Sequence, residues 1–293
     1  MNTTEREFLK QLGNVGPAPG DYQPFSEILA RTFERGVDAK SDVDEIRSAL
    51  AVSLGLDTLQ GFALRKPHGY PGDFEIIDHI YLEHCAEEPR CRRWDQYFHA
   101  QAATCAVRNR KSYFHRILDQ LNEGVSGLIR VLNVASGPCR CVHQWLSAHP
   151  ESNIRFDCID NDQEALRYAA TLNAEYLDRV MLAYGNALKT ELTHRYHLIW
   201  VAGLCDYLSD SRMVSLVRRL STALVPGAEL VLGNFGDFNP TRPYMEIVGD
   251  WRLTHRSADS LLILARGAGI DLVNAKIGAE QEGVNLFLHV TNR

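Results

Sequence analysis

No run of apolar residues in this chain approaches the roughly 20 needed to cross a bilayer, so no membrane span is expected. The opening stretch Met1–Glu7 has neither a basic segment nor an apolar one, so no secretory leader is read and a cytoplasmic location is the expectation. No two cysteines have the Cys-x-x-Cys spacing. The seven, at 85, 91, 105, 139, 141, 158 and 205, are odd in number, which suits reduced, mostly buried thiols and not a disulfide framework. Cys139-x-Cys141 has no second half at metal-ligand spacing, so no metal is expected. Positive charge is also short: 31 Lys and Arg against 37 Asp and Glu leave a formal charge of −6, which argues against a general nucleic-acid binder. Neither an internal repeat nor a low-complexity segment is present, and the Gly-x-Gly-x-x-Gly dinucleotide fingerprint is missing.

What is present is a chain with 45% hydrophobic and 23% charged residues, long enough to bury a full core in one large or two modest domains. Its organising stretch is Ile129–Cys139. Here an apolar strand runs into the small-residue turn Ala135-Ser136-Gly137-Pro138, and a helix pattern opens at Cys141. Strand, tight turn and helix N-terminus expose backbone N–H groups to a ligand, with the helix dipole favouring negative charge. A second apolar strand, Ile154–Ile159, ends in Asp160, where a nucleotide-binding fold grips ribose hydroxyls. Further strands are expected at 179–183, 196–201, 229–232, 270–277 and 285–291, alternating with helices at 163–172, 211–224 and 257–268. Such alternation predicts an α/β fold with a parallel, doubly wound sheet and an antiparallel final pair.

The first part of the chain reads differently. Residues 1–24 carry three glycines and three prolines and are expected to be irregular. Helices follow at 25–35, 42–54, 57–64 and 74–85, and one long helix at about 92–122. Between them, 66–73 holds two prolines and two glycines, which forbid regular structure; it is either a connector or a loop presenting His68 and Tyr70 to a pocket. Arg108-Asn109-Arg110-Lys111 is either a solvated helix face or a contact for a carboxylate. The domain boundary is expected near 124–127, giving a helical domain 1–125 and an α/β domain 126–293.

The α/β part, about 128–293, resembles the class I S-adenosylmethionine-dependent methyltransferases. Asn133 stands where that family usually has an acid, and Ala135, Gly137 and Cys139 stand at its three glycines. Asp160 matches the ribose-binding acid, Gly185-Asn186-Ala187 the adenine turn, and Ala202–Tyr207 the stretch facing the methionine end and the substrate. A narrower resemblance, carried by Gly69–Phe74, Ala106–Arg110, Asn239–Arg242 and Asp250-Trp251-x-Leu253, is to a bacterial group labelled for biosynthesis of an extracellular factor, 3-hydroxypalmitic acid methyl ester.

The resemblance implies S-adenosylmethionine as cofactor and a small-molecule acceptor, without nucleic acid or membrane as partner; it leaves the oligomeric state open. An Asn/Asp-Pro-Pro-Tyr/Phe run, the mark of a nucleic-acid methyltransferase, is absent after the fourth strand. Cofactor contacts are expected from Arg108, Asn133, Ala135, Ser136, Gly137, Asp160, Asn161, Gly185, Asn186, Ala187, Ala202 and Gly203. Catalytic contacts are expected from Tyr70, Asp206 and Tyr207. The insertion 237–256, long for a compact domain and on the ligand-binding edge of the sheet, adds Arg242, Tyr244, Trp251 and Arg256, joined by His68 and Asn234, as substrate residues. His255 is the other histidine placed near the pocket. Carboxylate O-methylation and amine or hydroxyl methylation of a metabolite both fit these residues; the alternative is a non-catalytic methyltransferase-like regulatory or scaffolding module.

Overall fold

Asn2 accepts a hydrogen bond from Glu5 N–H at 2.9 Å while the Glu5 carboxylate accepts from Asn2 N–H at 2.9 Å. This reciprocal cap starts a helix, α1 (Thr3–Val15), in the segment expected to be irregular. The computed structural model of the chain describes residues 1–292. Helices α2 (Tyr22–Glu34), α3 (Lys40–Ala49), α4 (Leu59–Arg65), α5 (Phe74–Tyr81) and α6 (Pro89–His99) follow. The long helix expected at 92–122 is two: α6 stops at Ala100, and α7 (Ala102–Gly124) starts afresh when Gln101 C=O accepts from Cys105 N–H. Neither a proline nor a glycine marks this break.

The remaining elements are β1 (Ile129–Val134), α8 (Arg140–Ala148), β2 (Ile154–Asp160), α9 (Gln163–Leu172), β3 (Val180–Tyr184), β4 (Tyr196–Val201), α10 (Asp210–Ser221), β5 (Leu224–Phe235), α11 (Arg242–Ile247), α12 (Ala258–Gly267), β6 (Ala275–Ala279) and β7 (Asn285–Thr291). The strands form one sheet in the order β3-β2-β1-β4-β5-β7-β6. The first five run parallel, and β7 is antiparallel to both β5 and β6. This is the doubly wound, mostly parallel sheet with an antiparallel final pair expected from the alternating pattern. Leu132, Val134, Ile199, Leu230, Leu232 and Leu288 point to one face with α10 and α12. Val131, Trp200, Val231 and Phe287 point to the other, with α7 and α8. Burial on both faces explains why these strands read as unbroken apolar runs.

Two compact units divide the chain: Met1–Cys105 with Asn239–Arg252, and Ala106–Phe238 with residues from Leu253 onward. The division differs from the boundary expected near 124–127, because α7 packs Phe114 and Leu118 into the sheet's core. The insertion, for its part, belongs with the helical unit. Tyr244 on α11 is buried among Phe25, Tyr97 and Phe98 and donates its hydroxyl hydrogen to Gln60 Oε1 at 2.8 Å. Arg47 donates to Ile247 C=O at 2.7 Å, and Lys66 pairs with Asp250 at 2.7 Å. The insertion is therefore a helix with its own core contacts and not an open loop.

Candidate functional site

The turn after β1 keeps its shape without its glycines. Ala135 has φ +53°, Gly137 +54° and Cys139 +54°, so all three positions matched to the glycine motif are left-handed. For Ala135 and Cys139 that conformation costs roughly 1–2 kcal/mol each, and strain of this kind gathers where backbone geometry serves a ligand. Gly137 N–H donates to Asp160 Oδ2 at 2.8 Å, and Asp162 N–H donates to Asp160 Oδ1 at 2.9 Å. One carboxylate thus ties the first turn to the tip of β2, with acceptor capacity left on both oxygens. Burial pushes the Asp160 pKa up, against the pull of these backbone donors.

A cavity of about 200 Å³ opens at the carboxyl ends of β1, β2 and β3. Six expected cofactor residues line it: Ala135, Asp160, Asn161, Gly185, Asn186 and Ala187. Sequence reasoning missed five others, Ile159, Leu188, Leu204, Leu208 and Arg212. The leucines look like core in any apolar pattern; Arg212, in the first turn of α10, looks like a solvated helix face. The Arg212 side chain makes no hydrogen bond or ion pair with any described residue. Asn186 spends its side-chain oxygen on Leu188 N–H at 2.8 Å, leaving its NH₂ as the group available to a ligand.

Deeper in the same edge, two polar groups lack any partner: Asn133 Nδ2 and Ser136 Oγ, both buried. Buried donors are normally satisfied, so each orphan points to a ligand atom. An orphaned amide and hydroxyl beside a left-handed turn, with an acid at the next strand tip, fit the polar end and the ribose of a nucleoside cofactor.

At the tip of β4, Asp206 is buried and accepts from Phe235 N–H at 2.6 Å. Desolvation raises its pKa to about 6, opposed by that bond and by the Arg110 and Arg256 guanidinium charges. Arg110, on α7, is buried and donates to Ala202 C=O at 2.8 Å, while Arg108, the expected cofactor contact, is half-buried. Ala202 is buried beneath it, Gly203 is half-buried, and Tyr207 stands exposed one residue past Asp206.

Several expected substrate residues have their polar groups engaged within the fold. Arg256 is buried and donates to Asp210, Cys205 C=O, Asn234 Oδ1 and Leu208 C=O, which uses its whole fork. Asn234 completes that lock by donating to Phe235 C=O and Thr254 C=O. Tyr244, as described, is core of the helical unit. Arg242 pairs with Glu246 at 2.7 Å and lies over Phe33, and Trp251 is buried. Arg242, Tyr244, Trp251 and Arg256 are polar or aromatic on an insertion, the signal for a substrate role in sequence, and each is buried or paired here. His255 has its Nδ1 at 3.2 Å from Leu253 C=O. In the helical unit, His68 is bonded to Glu75 at 2.8 Å, and Tyr70 is 36% exposed on a turn set by left-handed Gly69 and Gly72.

No family model matches the chain, and no curated protein matches it in sequence. Solved structures do match it in shape. A Bordetella parapertussis protein described as a possible exported protein superposes with a TM-score of 0.66 at 18% identity, over 94% of this chain and 97% of that one. The S-adenosylmethionine-dependent methyltransferase SibL, in its apo form, gives 0.53 at 16%, over 90% and 77%. The magnesium protoporphyrin IX methyltransferase of Synechocystis, with bound S-adenosylhomocysteine, gives 0.50 at 10%, over 65% and 87%. At these identities the likeness is one of fold.

Proposed function

We propose that this chain is an S-adenosylmethionine-dependent methyltransferase acting on a small molecule. The observation that carries the reading is the left-handed turn preserved at 135, 137 and 139 although two of the three residues are not glycine. A turn that had lost its ligand would have no reason to keep Ala135 and Cys139 strained. The cavity that Asp160 and Asn186 share supports the same reading.

In this reading Asp160 accepts from the ribose hydroxyls with the lone pairs its backbone donors leave free. The NH₂ of Asn186 donates to the adenine edge, and Leu188, Leu204 and Leu208 cover the ring. Asn133 and Ser136 receive the methionine end, with Arg108 as a further contact for its carboxylate. The bound sulfonium supplies an electrophilic methyl group. The chain's own task is then to hold the acceptor's nucleophilic atom in line with it and exclude water, where most of the rate gain in such a displacement lies. A carboxylate acceptor needs no base, whereas an amine or hydroxyl must give up a proton. In this reading Asp206, whose carboxyl burial pushes up to about 6, is the group that takes that proton. Phe substitution of Tyr70, read as kcat at unchanged cofactor affinity, tests the catalytic role expected of that hydroxyl.

Isothermal titration with S-adenosylhomocysteine tests the reading directly. Micromolar binding that is lost in Asp160→Ala, with the fold intact by circular dichroism, is the expected result. Absence of binding to the wild-type chain would overturn it. Binding without turnover on any metabolite extract would favour the regulatory module.

A further inference from the structure

Leu204 and Leu208 bracket the turn that follows β4, and both line the cavity shared by Asp160 and Asn186. Little within the turn holds it. Its single 3₁₀ turn, Cys205–Tyr207, rests on two bonds, from Tyr207 N–H to Leu204 C=O at 3.0 Å and from Leu208 N–H to Cys205 C=O at 3.1 Å. Bonds of this type have poorer geometry than α-helical ones, so one such turn is a weak support. Cys205 and Leu208 are nevertheless buried, and buried carbonyls need donors.

Arg256 supplies them from 48 and 51 positions further along the chain. Its Nη1 donates to Cys205 C=O at 3.0 Å and its Nη2 to Leu208 C=O, so one planar group grips both ends of the turn. Nη1 also reaches Asn234 Oδ1 on β5 at 2.6 Å. Nε reaches Asp210 at 3.0 Å, in the first turn of α10 and two residues before Arg212. The arginine is itself fixed: its backbone N–H donates to Phe235 C=O at 3.0 Å, and Thr254 N–H donates to Asp206 C=O at 2.8 Å. The end of β5, residues 254–256, the turn and the start of α10 are thus cross-linked into one piece. A lysine has the same charge, but its point donor cannot span these four acceptors.

A buried cation is an expensive way to close a turn. The β2–α9 turn of the same sheet closes instead on Asp162, which caps α9 through Glu164 and Ala165 N–H. What sets the β4–α10 turn apart is its load. Leu204, Leu208 and Arg212 all line the cavity, and all three are carried on backbone that the guanidinium ties down. A wall already in place spares the ligand the cost of ordering it.

We propose that Arg256 is a positioning residue for the cofactor: its guanidinium holds the 204–208 turn in the binding-competent shape before the nucleoside arrives. It touches no ligand and acts through the two leucines. The assignment rests on the methyltransferase reading, which names the nucleoside.

The test compares two full-length variants, each losing buried hydrogen bonds of β4 or its turn. Arg256→Lys breaks the fork; Tyr196→Phe removes the 2.9 Å bond from the Tyr196 hydroxyl to Asp157 Oδ2 at the opposite end of β4. Both are expected to melt lower, by about 2–4 °C. Only Arg256→Lys is expected to weaken S-adenosylhomocysteine, about tenfold, as for a wall that is competent roughly a tenth of the time. 5′-Methylthioadenosine should show the same loss, since it presents the same nucleoside. Hydrogen exchange reads the turn itself: the Tyr207 and Leu208 amides are expected to exchange at least tenfold faster in Arg256→Lys, the β4 amides at the wild-type rate, and saturating ligand should restore protection. Affinity within twofold of wild type in Arg256→Lys, or wild-type protection of both amides, overturns the proposal. An equal loss of affinity in Tyr196→Phe would mark a general effect of stability and overturns it too. If Arg256→Lys does not fold, Asp210→Ala loosens the fork at a carboxylate that is 72% exposed. About threefold weaker binding is then expected, and unchanged binding overturns the proposal. Failure of wild type to bind S-adenosylhomocysteine is a separate result, which overturns the parent reading.

Discussion

Gly137 and Asp160 are joined by a hydrogen bond of 2.8 Å from the backbone of one to the carboxylate of the other. The bond links the turn after the first strand to the tip of the second, so the acid contributes to the turn's shape as well as to any ligand contact. Asp160→Ala is expected to weaken S-adenosylhomocysteine binding by roughly 1.5–3 kcal/mol for each lost charge-assisted bond. Asp160→Asn keeps one acceptor oxygen and should fall between the two. Titration calorimetry on both variants checks the order.

The left-handed turn makes two opposite predictions. Ala135→Gly relieves strain at φ +53° and is expected to raise the unfolding free energy by about 0.5–1 kcal/mol in a urea titration, after glycine's own entropy cost. Gly137→Val puts a branched side chain at φ +54°, so it should lower stability by roughly 1–2 kcal/mol as well as block the ligand. A valine variant as stable as wild type would mean that the turn had rearranged.

Arg212 projects into the cavity from outside the motifs. If it covers a bound purine, Arg212→Ala should weaken S-adenosylhomocysteine by about 0.5–2 kcal/mol, the range of a cation–π contact. Arg212→Lys should restore part of it, and 5′-methylthioadenosine should show the same loss, since it shares the purine. Unchanged affinity for both would leave Arg212 as a surface residue.

Asp206 sets a pH dependence. Its pKa is near 6 in the folded chain and near 3.8 when unfolded. Between those values the native state holds a proton that the unfolded state has released. The unfolding free energy therefore falls as pH rises through this window and stays reduced above it, by about 3 kcal/mol at most. Asp206→Asn can still accept from Phe235 N–H and should flatten this slope. Urea titrations at pH 5 and pH 8 measure the difference.

Tyr244 separates folding from function. Tyr244→Phe removes the bond to Gln60 and leaves a buried acceptor unpaired, at a cost of about 1–3 kcal/mol to the helical unit. S-adenosylhomocysteine affinity should not change, and a shift in it would return Tyr244 to the binding site.

The sheet was legible because its strands are buried on both faces and its helices alternate with them at regular spacing. The residues of the cavity were legible for a related reason: ligand-binding turns sit at strand tips, and strand tips can be located. Asp160, Gly185 and Asn186 follow from that rule alone. Arg256 and Asn234 followed it too, and were assigned to substrate, because a buried guanidinium lock and a ligand clamp use the same residue types. Only the partners distinguish them, and those of Arg256 lie 22 to 51 positions away in the chain. Arg212 was not legible, because a cation in the first turn of α10 looks in sequence like a solvated helix face, and only the cavity lining brings it to the site.

The chain enters the helical unit twice, through Met1–Cys105 and again through Asn239–Arg252. During synthesis, residues 1–105 leave the ribosome without the segment that brings Tyr244 to Phe25 and Tyr97. They must wait until β1 to β5 have emerged. The unit that begins the polypeptide is thus completed late, and its aromatic pocket stays unfilled while the sheet is forming. Cutting the gene at residue 124 would not release two independent pieces: it would strand α11 without its aromatic neighbours and strip α7 from the sheet. Separating the units would instead require a circular rearrangement that joins 238 to 253 and carries 239–252 with the N-terminal helices.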